Sequence, residues 1–370
     1  MPTDTKPLFR PFTLRSLNLA NRIVMAPMTR SFSPGGVPGA DVAAYYRRRA
    51  ENAVGLIITE GTVVAHPAAA NDPKVPRFHG ADALAGWKRV VDEVHRVGGR
   101  IMPQLWHVGI LRRMGSEPNP SVPPVAPSGV SRPGKKVVDP MSEAEIAQVI
   151  GAFAQGAADA MRLGFDGIEI HGAHGYLIDQ FFWDQTNLRE DRFGGDLVKR
   201  ATFAVEIVKA CRAATRPDFP IVLRFSQWKQ QDYAARLAPT PQDLERFLTP
   251  LADAGVDIFH CSTRRFWLPE FEGSEMNLAG WTKKLTGRPV ITVGSIGLDT
   301  DFITSFQPGK GAALSGENFE RLIAMVDRGE VDLVAVGRAL LSDPEWAIKM
   351  RDGRTGDFAP YSAEALKSLV

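Results

Sequence analysis

In the segment HGAHGY, His171 and His174 stand three residues apart and Tyr176 follows two residues later. Two imidazoles at that spacing, on a chain leaving a strand for a helix, can aim N–H donors at a single oxygen. The phenol beside them can give a proton to a neighbouring atom. A histidine pair can also hold a metal ion, and a metal-dependent barrel hydrolase built on His171 and His174 is the rival reading. It lacks an evident third ligand apart from His107 and His260.

Other chemistry-bearing residues close short apolar runs. Gly294-Ser295 and Gly337-Arg338 combine small residues, which let backbone N–H groups approach an anion, with a guanidinium that adds a charge-assisted contact. Phosphate is the expected ligand there, with a relaxed turn and a surface ion pair as the alternatives. Arg224 lies inside the apolar run IVLRFS and must either snorkel or meet an anion. Gln104 offers a donor and an acceptor together, which suits the edge of an imide ring. Trp106 provides a flat apolar wall or simple packing.

These residues need a scaffold that brings distant run ends together. Eight runs supply it: Arg22 to Met28, Gly55 to Gly61, Arg100 to His107, Gly167 to Gly172, Ile221 to Ser226, Ile258 to Ser262, Val290 to Ser295 and Leu333 to Arg338. Several are continuously apolar, as strands buried on both faces are. Helix signals fill the intervals. Ser142 and Glu145 form a capping box ahead of Ile146, Val149, Ile150, Phe153 and Ala157. Thr240 caps and Pro241 opens a stripe of Leu244, Phe247, Leu248 and Leu251. Gly164, Gly255 and Gly329 each stop a helix just before a strand.

Eight strand–helix units predict an α/β fold, a (β/α)8 TIM barrel with an N-terminal cap over residues 1–20 and the whole of 1–370 in one domain. The site then lies at the C-terminal strand ends. No GxGxxG follows the first strand, which disfavours a Rossmann cofactor site. The seven prolines between Gly115 and Pro140 mark a long loop, 108–140, after the third strand. A second long connection spans Asp299 to Gly316.

Composition narrows the class. Lys+Arg 44 against Asp+Glu 42 gives a net charge of +2, too balanced to suggest nucleic acid or an anionic membrane as partner. The opening MPTDTKPLFRPF puts prolines and charges where a signal peptide would be apolar, and no 18 apolar residues run together, so a cytoplasmic location is expected. Cys211 and Cys261 stand alone, without a CxxC or a Cys/His cluster.

Taken together, NRIVMAPMTR from Asn21, TEG from Thr59, QLWHVG from Gln104, GFDGIEIHGAHGYLIDQF from Gly164, N-x-R-x-D-x-F-G-G from Asn187, LRFS, VGS and VGRALLSDP resemble the old yellow enzyme family of FMN-dependent NAD(P)H oxidoreductases, or ene-reductases. The likeness runs over nearly the whole chain. It implies non-covalent FMN at the barrel mouth, with the phosphate near Gly294, Ser295, Gly337 and Arg338. Pro27, Met28, Thr29 and Gly61 would line the isoalloxazine, Gln104 would pair with its pyrimidine edge, and Arg224 would face its N1/O2 side. His171 and His174 would bind a carbonyl or nitro oxygen, and Tyr176 would protonate the adjacent carbon. NADPH or NADH would be the reductant, and an activated alkene the small-molecule substrate, in ping-pong turnover.

Four features depart from the family pattern, among them the Asp299 to Gly316 connection, which is longer than usual. Thr29 stands where one branch carries a cysteine. Trp183-Asp184-Gln185 replaces a small-residue and proline stretch, and FHCSTRRFW adds Arg264, Arg265 and Trp267 near the mouth, where they are expected to shape substrate or nicotinamide binding, with a solvated basic surface as the alternative.

Overall fold

The computed structural model describes residues 4–298 and 316–370. An antiparallel hairpin of β1 (Phe12–Leu14) and β2 (Leu17–Leu19) opens the chain. Three barrel strands follow: β3 (Ile23–Met25), β4 (Leu56–Val63) and β5 (Ile101–Trp106). A second small hairpin, β6 (Val130–Arg132) with β7 (Lys135–Lys136), lies within the proline-rich segment 108–140, so that segment is not structureless. The barrel resumes with β8 (Ile168–His174), β9 (Ile221–Lys229), β10 (Ile258–Ser262), β11 (Val290–Val293) and β12 (Leu333–Val336). Adjacent barrel strands pair in parallel, and β12 returns to β3 to close the ring.

The expected helix signals act as read. Ser142 Oγ accepts from the Glu145 N–H at 3.2 Å while the Glu145 carboxylate accepts from the Ser142 N–H at 2.7 Å, starting the helix Glu143–Leu163. Gly164 ends it at φ +91°, a left-handed conformation that a side chain would strain. Thr240 caps Pro241–Ala254, which stops at Gly255 in the same way.

Several boundaries move, three of them at residues that matter for the site. The first strand ends at Met25 rather than Met28. Pro27 has no N–H for the ladder, although Ala26 still donates to the Val336 carbonyl at 2.9 Å. By contrast, β8 runs past Gly172 to His174, and β9 past Ser226 to Lys229. The connection Asp299 to Gly316 falls outside the described residues, except for Gly316 at the start of the helix Gly316–Asp327.

Alternate residues on each strand face opposite ways. Ile221, Leu223, Phe225, Phe259, Val334 and Val336 belong to the layer shared with the helices. Val24, Leu56, Ile58, Met102, Val222, Ile258, Ile291 and Leu333 pack together inside the barrel with Phe12, Leu17 and Leu19 of the hairpin. Arg15 at the hairpin turn donates to Asp257 Oδ1 at 2.5 Å, just ahead of β10, so the hairpin seals the end where the strands begin. That leaves the opposite end for chemistry. No helix among the described residues is long and apolar enough to cross a membrane.

Candidate active site

Two residues beyond the apolar layer, the same inward-facing positions turn polar. Val222 is followed by Arg224, Ile258 by His260 and Ser262, and Met102 by Gln104. The strand register sets Arg224 beside His171 on one side and His260 on the other. Of these, Gln104, His171, Arg224 and Ser262 line a cavity of about 560 Å³ at the C-terminal strand ends, and His260 is outside its lining.

Most of the expected residues meet there. Pro27, Met28, Thr29, Gln104, Trp106, His171, His174, Tyr176, Arg224, Gly294, Ser295, Gly337 and Arg338 all line the cavity. Gly61 does not: a Cβ on it would lie 2.6 Å from Trp106 Cε3, so its bare backbone instead makes room for the Trp106 indole. Trp267 is also outside the lining, packed against the core with its ring perpendicular to Phe266. Of the two neighbouring arginines, Arg264 reaches the cavity and Arg265 is exposed.

The two histidines and the tyrosine form one aromatic cluster. The Tyr176 ring stands edge-on to His171 at 4.9 Å and to Trp106 at 4.8 Å, and His171 lies 5.1 Å from His174. His174 stacks on Trp228 at 4.7 Å. Burial, reinforced by the Arg224 charge, pushes both imidazoles well below the ordinary histidine range, so they are neutral near pH 7. Their hydrogens can be assigned from partners. His171 Nδ1 accepts from the Ala173 N–H at 3.4 Å, which puts its hydrogen on Nε2. Arg224 donates to Ser262 Oγ at 3.2 Å, and Ser262 Oγ lies 2.8 Å from His174 Nε2; with the Ser262 hydroxyl donating to Nε2, the His174 hydrogen is on Nδ1.

Local structure holds the turn rigidly. His174 is left-handed at φ +65°, a conformation that costs a non-glycine residue about 1 kcal/mol or more. Its N–H donates to Ser226 Oγ at 3.0 Å, and the Gly175 N–H donates to Asp179 Oδ2 at 2.7 Å. Asp179 in turn pairs with Lys229 at 2.5 Å, both side chains fully buried. Burial pushes the carboxyl up and the ammonium down, and each charge opposes the other's shift.

Sequence reasoning missed a second buried group under the floor. Gln104 Nε2 donates to Glu169 Oε1 at 2.7 Å, and Glu169 Oε2 meets His260 Nδ1 at 2.6 Å. Spending the Gln104 amide N–H₂ on Glu169 leaves its carbonyl as an acceptor for the cavity. The signal was present in the pattern IEIHG, where Glu169 shares the inward parity of His171. Trp228, Gln230, Tyr233, Ser262 and Tyr361 also line the cavity without having been singled out. His107 lies apart from it, bonded to His66 at 2.9 Å. Among the described residues, no group of three or more His, Cys, Asp or Glu side chains is placed to hold a metal ion.

A closed parallel eight-stranded barrel with a cavity at its C-terminal mouth, Arg224 among the lining groups and Gly294, Ser295, Gly337 and Arg338 at the last strand ends is the architecture of a TIM-barrel enzyme. The model of the NADH:flavin oxidoreductase / NADH oxidase family matches residues 7–313. The chain belongs to that family, the old yellow enzymes, whose chemistry uses FMN and a nicotinamide reductant. Among curated relatives, 12-oxophytodienoate reductase 7 of Oryza sativa subsp. japonica is 31% identical over 93% of this chain and 88% of that protein. The NADH oxidase of Thermoanaerobacter brockii is 33% identical over 95% of this chain, which spans about half (51%) of it. Morphinone reductase in complex with tetrahydroNAD superposes with a TM-score of 0.80 at 28% identity, covering 97% of this chain and 93% of that one. The old yellow enzyme homologue of Zymomonas mobilis gives 0.79 at 25% identity, covering 97% and 96%.

Proposed function

We propose that this chain is an FMN-dependent reductase that takes hydride from NADPH or NADH and delivers it to the C=C bond of an α,β-unsaturated carbonyl or nitro compound. Reductant and alkene use one cavity in turn. The observation that carries the reading is the convergence of two neutral imidazole N–H donors and a phenol on one wall of the cavity. A cytoplasmic location, where nicotinamide is continually re-reduced, and a single catalytic domain go with this reading.

The residues fit a non-covalently held FMN. Ala26, Pro27, Met28, Val293 and Ala335 offer a flat apolar floor. Gln104 turns its carbonyl to the imide edge. Buried Arg224 has no partner for its Nε among the described residues, which suits an acceptor that gains negative charge on reduction. At the far end Arg338 donates to Ser295 Oγ at 3.0 Å, beside Gly294 and Gly337, and this group would hold the phosphate. Thr29 adds a hydroxyl to the lining rather than a thiol. Bound FMN would carry hydride from the nicotinamide to the alkene.

On the protein side, His171 Nε2–H and His174 Nδ1–H bind the carbonyl or nitro oxygen and draw electrons toward it. Negative charge developing on that oxygen strengthens both hydrogen bonds as the reaction proceeds. Tyr176 supplies the proton to the carbon beside the carbonyl, and Trp106 walls the alkene in.

Purified protein supplied with FMN should turn yellow and consume NADPH in proportion to added cyclohexenone under anaerobic conditions, with parallel double-reciprocal plots. Failure to retain FMN supplied in excess, or a yellow protein with no cyclohexenone-dependent oxidation, would overturn the proposal.

A further inference from the structure

We infer that Gln230 is a positioning residue for proton donation: it turns the Tyr176 hydroxyl hydrogen into the cavity and steadies the oxygen once that hydrogen has left. The inference rests on the reading of Tyr176 as proton donor. Gln230 follows directly on β9 and lines the cavity, and its Nε2 donates to Tyr176 Oη at 3.0 Å. Its backbone N–H reaches the His174 carbonyl at 3.4 Å, so it is tied to the turn that carries the histidines.

The direction of this bond matters. A phenol oxygen that accepts from an amide keeps its own hydrogen for another partner, and no acceptor for it is found among the described residues. The Tyr176 ring stands edge-on to Trp106 and His171 on the cavity lining, so the cavity is the space open to that hydrogen. In the proton transfer the Tyr176 O–H bond breaks, a C–H bond forms on the carbon beside the carbonyl or nitro group, and the electron pair stays on Oη. Water later restores the proton, while the hydride comes from NAD(P)H through FMN as proposed above. Burial holds the Tyr176 phenol above its ordinary range; the Gln230 hydrogen bond and the Arg224 charge act against that shift. An amide is suited to this task because it donates at every pH. A carboxylate in its place would accept the phenol's hydrogen and pull it out of the cavity.

The groups facing this pair leave one titration to follow. His171 and His174 are held neutral, and Arg224 stays cationic. Lys229 and Asp179 are paired, Arg264 lies 4.8 Å over the Tyr233 ring, and the Asp232 backbone bonds to that of Lys229. Gln230 is exposed, so replacing it disturbs no packed core.

The test compares Gln230→Glu, Gln230→Leu and Tyr176→Phe, each loaded with FMN. Reoxidation by cyclohexenone and reduction by NADPH are followed in single turnovers between about pH 5 and about pH 9. With Gln230→Glu, reoxidation should be about a hundredfold slower at the alkaline end and recover toward wild type at the acid end, where the carboxylic acid donates again. With Gln230→Leu it should be about tenfold slower at every pH, the size of one hydrogen bond to a charged oxygen. Reduction by NADPH takes no proton from Tyr176, so its rate should change less than that of reoxidation and should not follow the same pH dependence. In cofactor-free protein, the tyrosinate absorbance that disappears in Tyr176→Phe should titrate higher in Gln230→Leu than in wild type. A Gln230→Glu profile parallel to wild type, with an unmoved tyrosinate titration, overturns the inference if Tyr176→Phe is slow. If Tyr176→Phe reoxidises at the wild-type rate, the proton-donor reading itself fails.

Discussion

The two ends of the barrel interior are built from alternate positions of the same strands, yet one end is sealed and the other is reactive. On β9 the sealed layer has Val222 and the reactive layer Arg224; on β10 the pair is Ile258 and His260; on β5 it is Met102 and Gln104. Two residues of strand, about 6.6 Å, separate the layers. Below, Phe12, Leu17 and Leu19 complete an apolar plug. Above, buried polar groups pair with one another, Glu169 with His260 and Gln104, Arg224 with Ser262, and Asp179 with Lys229, while Arg224 Nε has no partner among the described residues. Cohesion and chemistry are thus assigned to different heights on one scaffold, and substitutions should separate them.

The largest effect is expected in the plug. Leu17 is fully buried, and Leu17→Ala should lower stability by about 3 kcal/mol, the cost of a core cavity. Urea unfolding at constant slope would measure it. The folded fraction should bind phenol, whose oxygen stands in for the substrate carbonyl, as tightly as wild type. A parallel loss of phenol affinity would show that the two layers are mechanically coupled.

The reverse pattern is expected above. His171→Ala should weaken phenol binding about tenfold, the size of one good hydrogen bond, while FMN stays bound. A stability signature accompanies it. Because His171 is held below its unfolded value of about 6.5, the unfolded chain binds the proton first as pH falls. Its contribution to stability is therefore intact above about pH 6.5 and declines below it, by about 1.4 kcal/mol per pH unit. Thermal unfolding of His171→Ala across that range should show a shallower acid slope than wild type; an unchanged slope would mean the imidazole is protonated in the folded state.

The same contrast explains what the sequence could disclose. Strands buried on both faces leave near-continuous apolar runs, so all eight were legible, and so were the capping residues Ser142 and Thr240. Residues closing those runs could be named because the barrel puts all its strand ends together. Glu169 was hidden because its partner His260 lies 91 positions away and only the inward parity of IEIHG hints at the link. Trp228, Gln230 and Tyr233 escaped because β9 and its turn continue beyond the apolar run that marks the strand. Tyr361 arrives from the far C-terminal segment, which no periodicity connects to the mouth. Trp267 was misplaced because the turn after β10, not the residue type, decides which side chain faces inward.

That turn offers the finest division of the upper layer. Arg264 and Arg265 are adjacent and chemically identical, but only Arg264 lines the cavity, with its guanidinium 4.8 Å from the Tyr233 ring centre. A cation held over a ring in partly exposed surroundings is worth about 0.5–1 kcal/mol. Arg264→Ala should accordingly raise a KM by roughly two- to fivefold, and Arg265→Ala should leave the steady-state parameters unchanged. Measuring NADH, NADPH and cyclohexenone separately identifies what the arginine touches. A response confined to NADPH assigns it to the extra phosphate, a response to both nicotinamides assigns it to their shared part, and a response to the enone assigns it to the substrate. Equal responses from the two arginines would mean that a diffuse positive rim, rather than the Arg264–Tyr233 contact, acts on the incoming ligand.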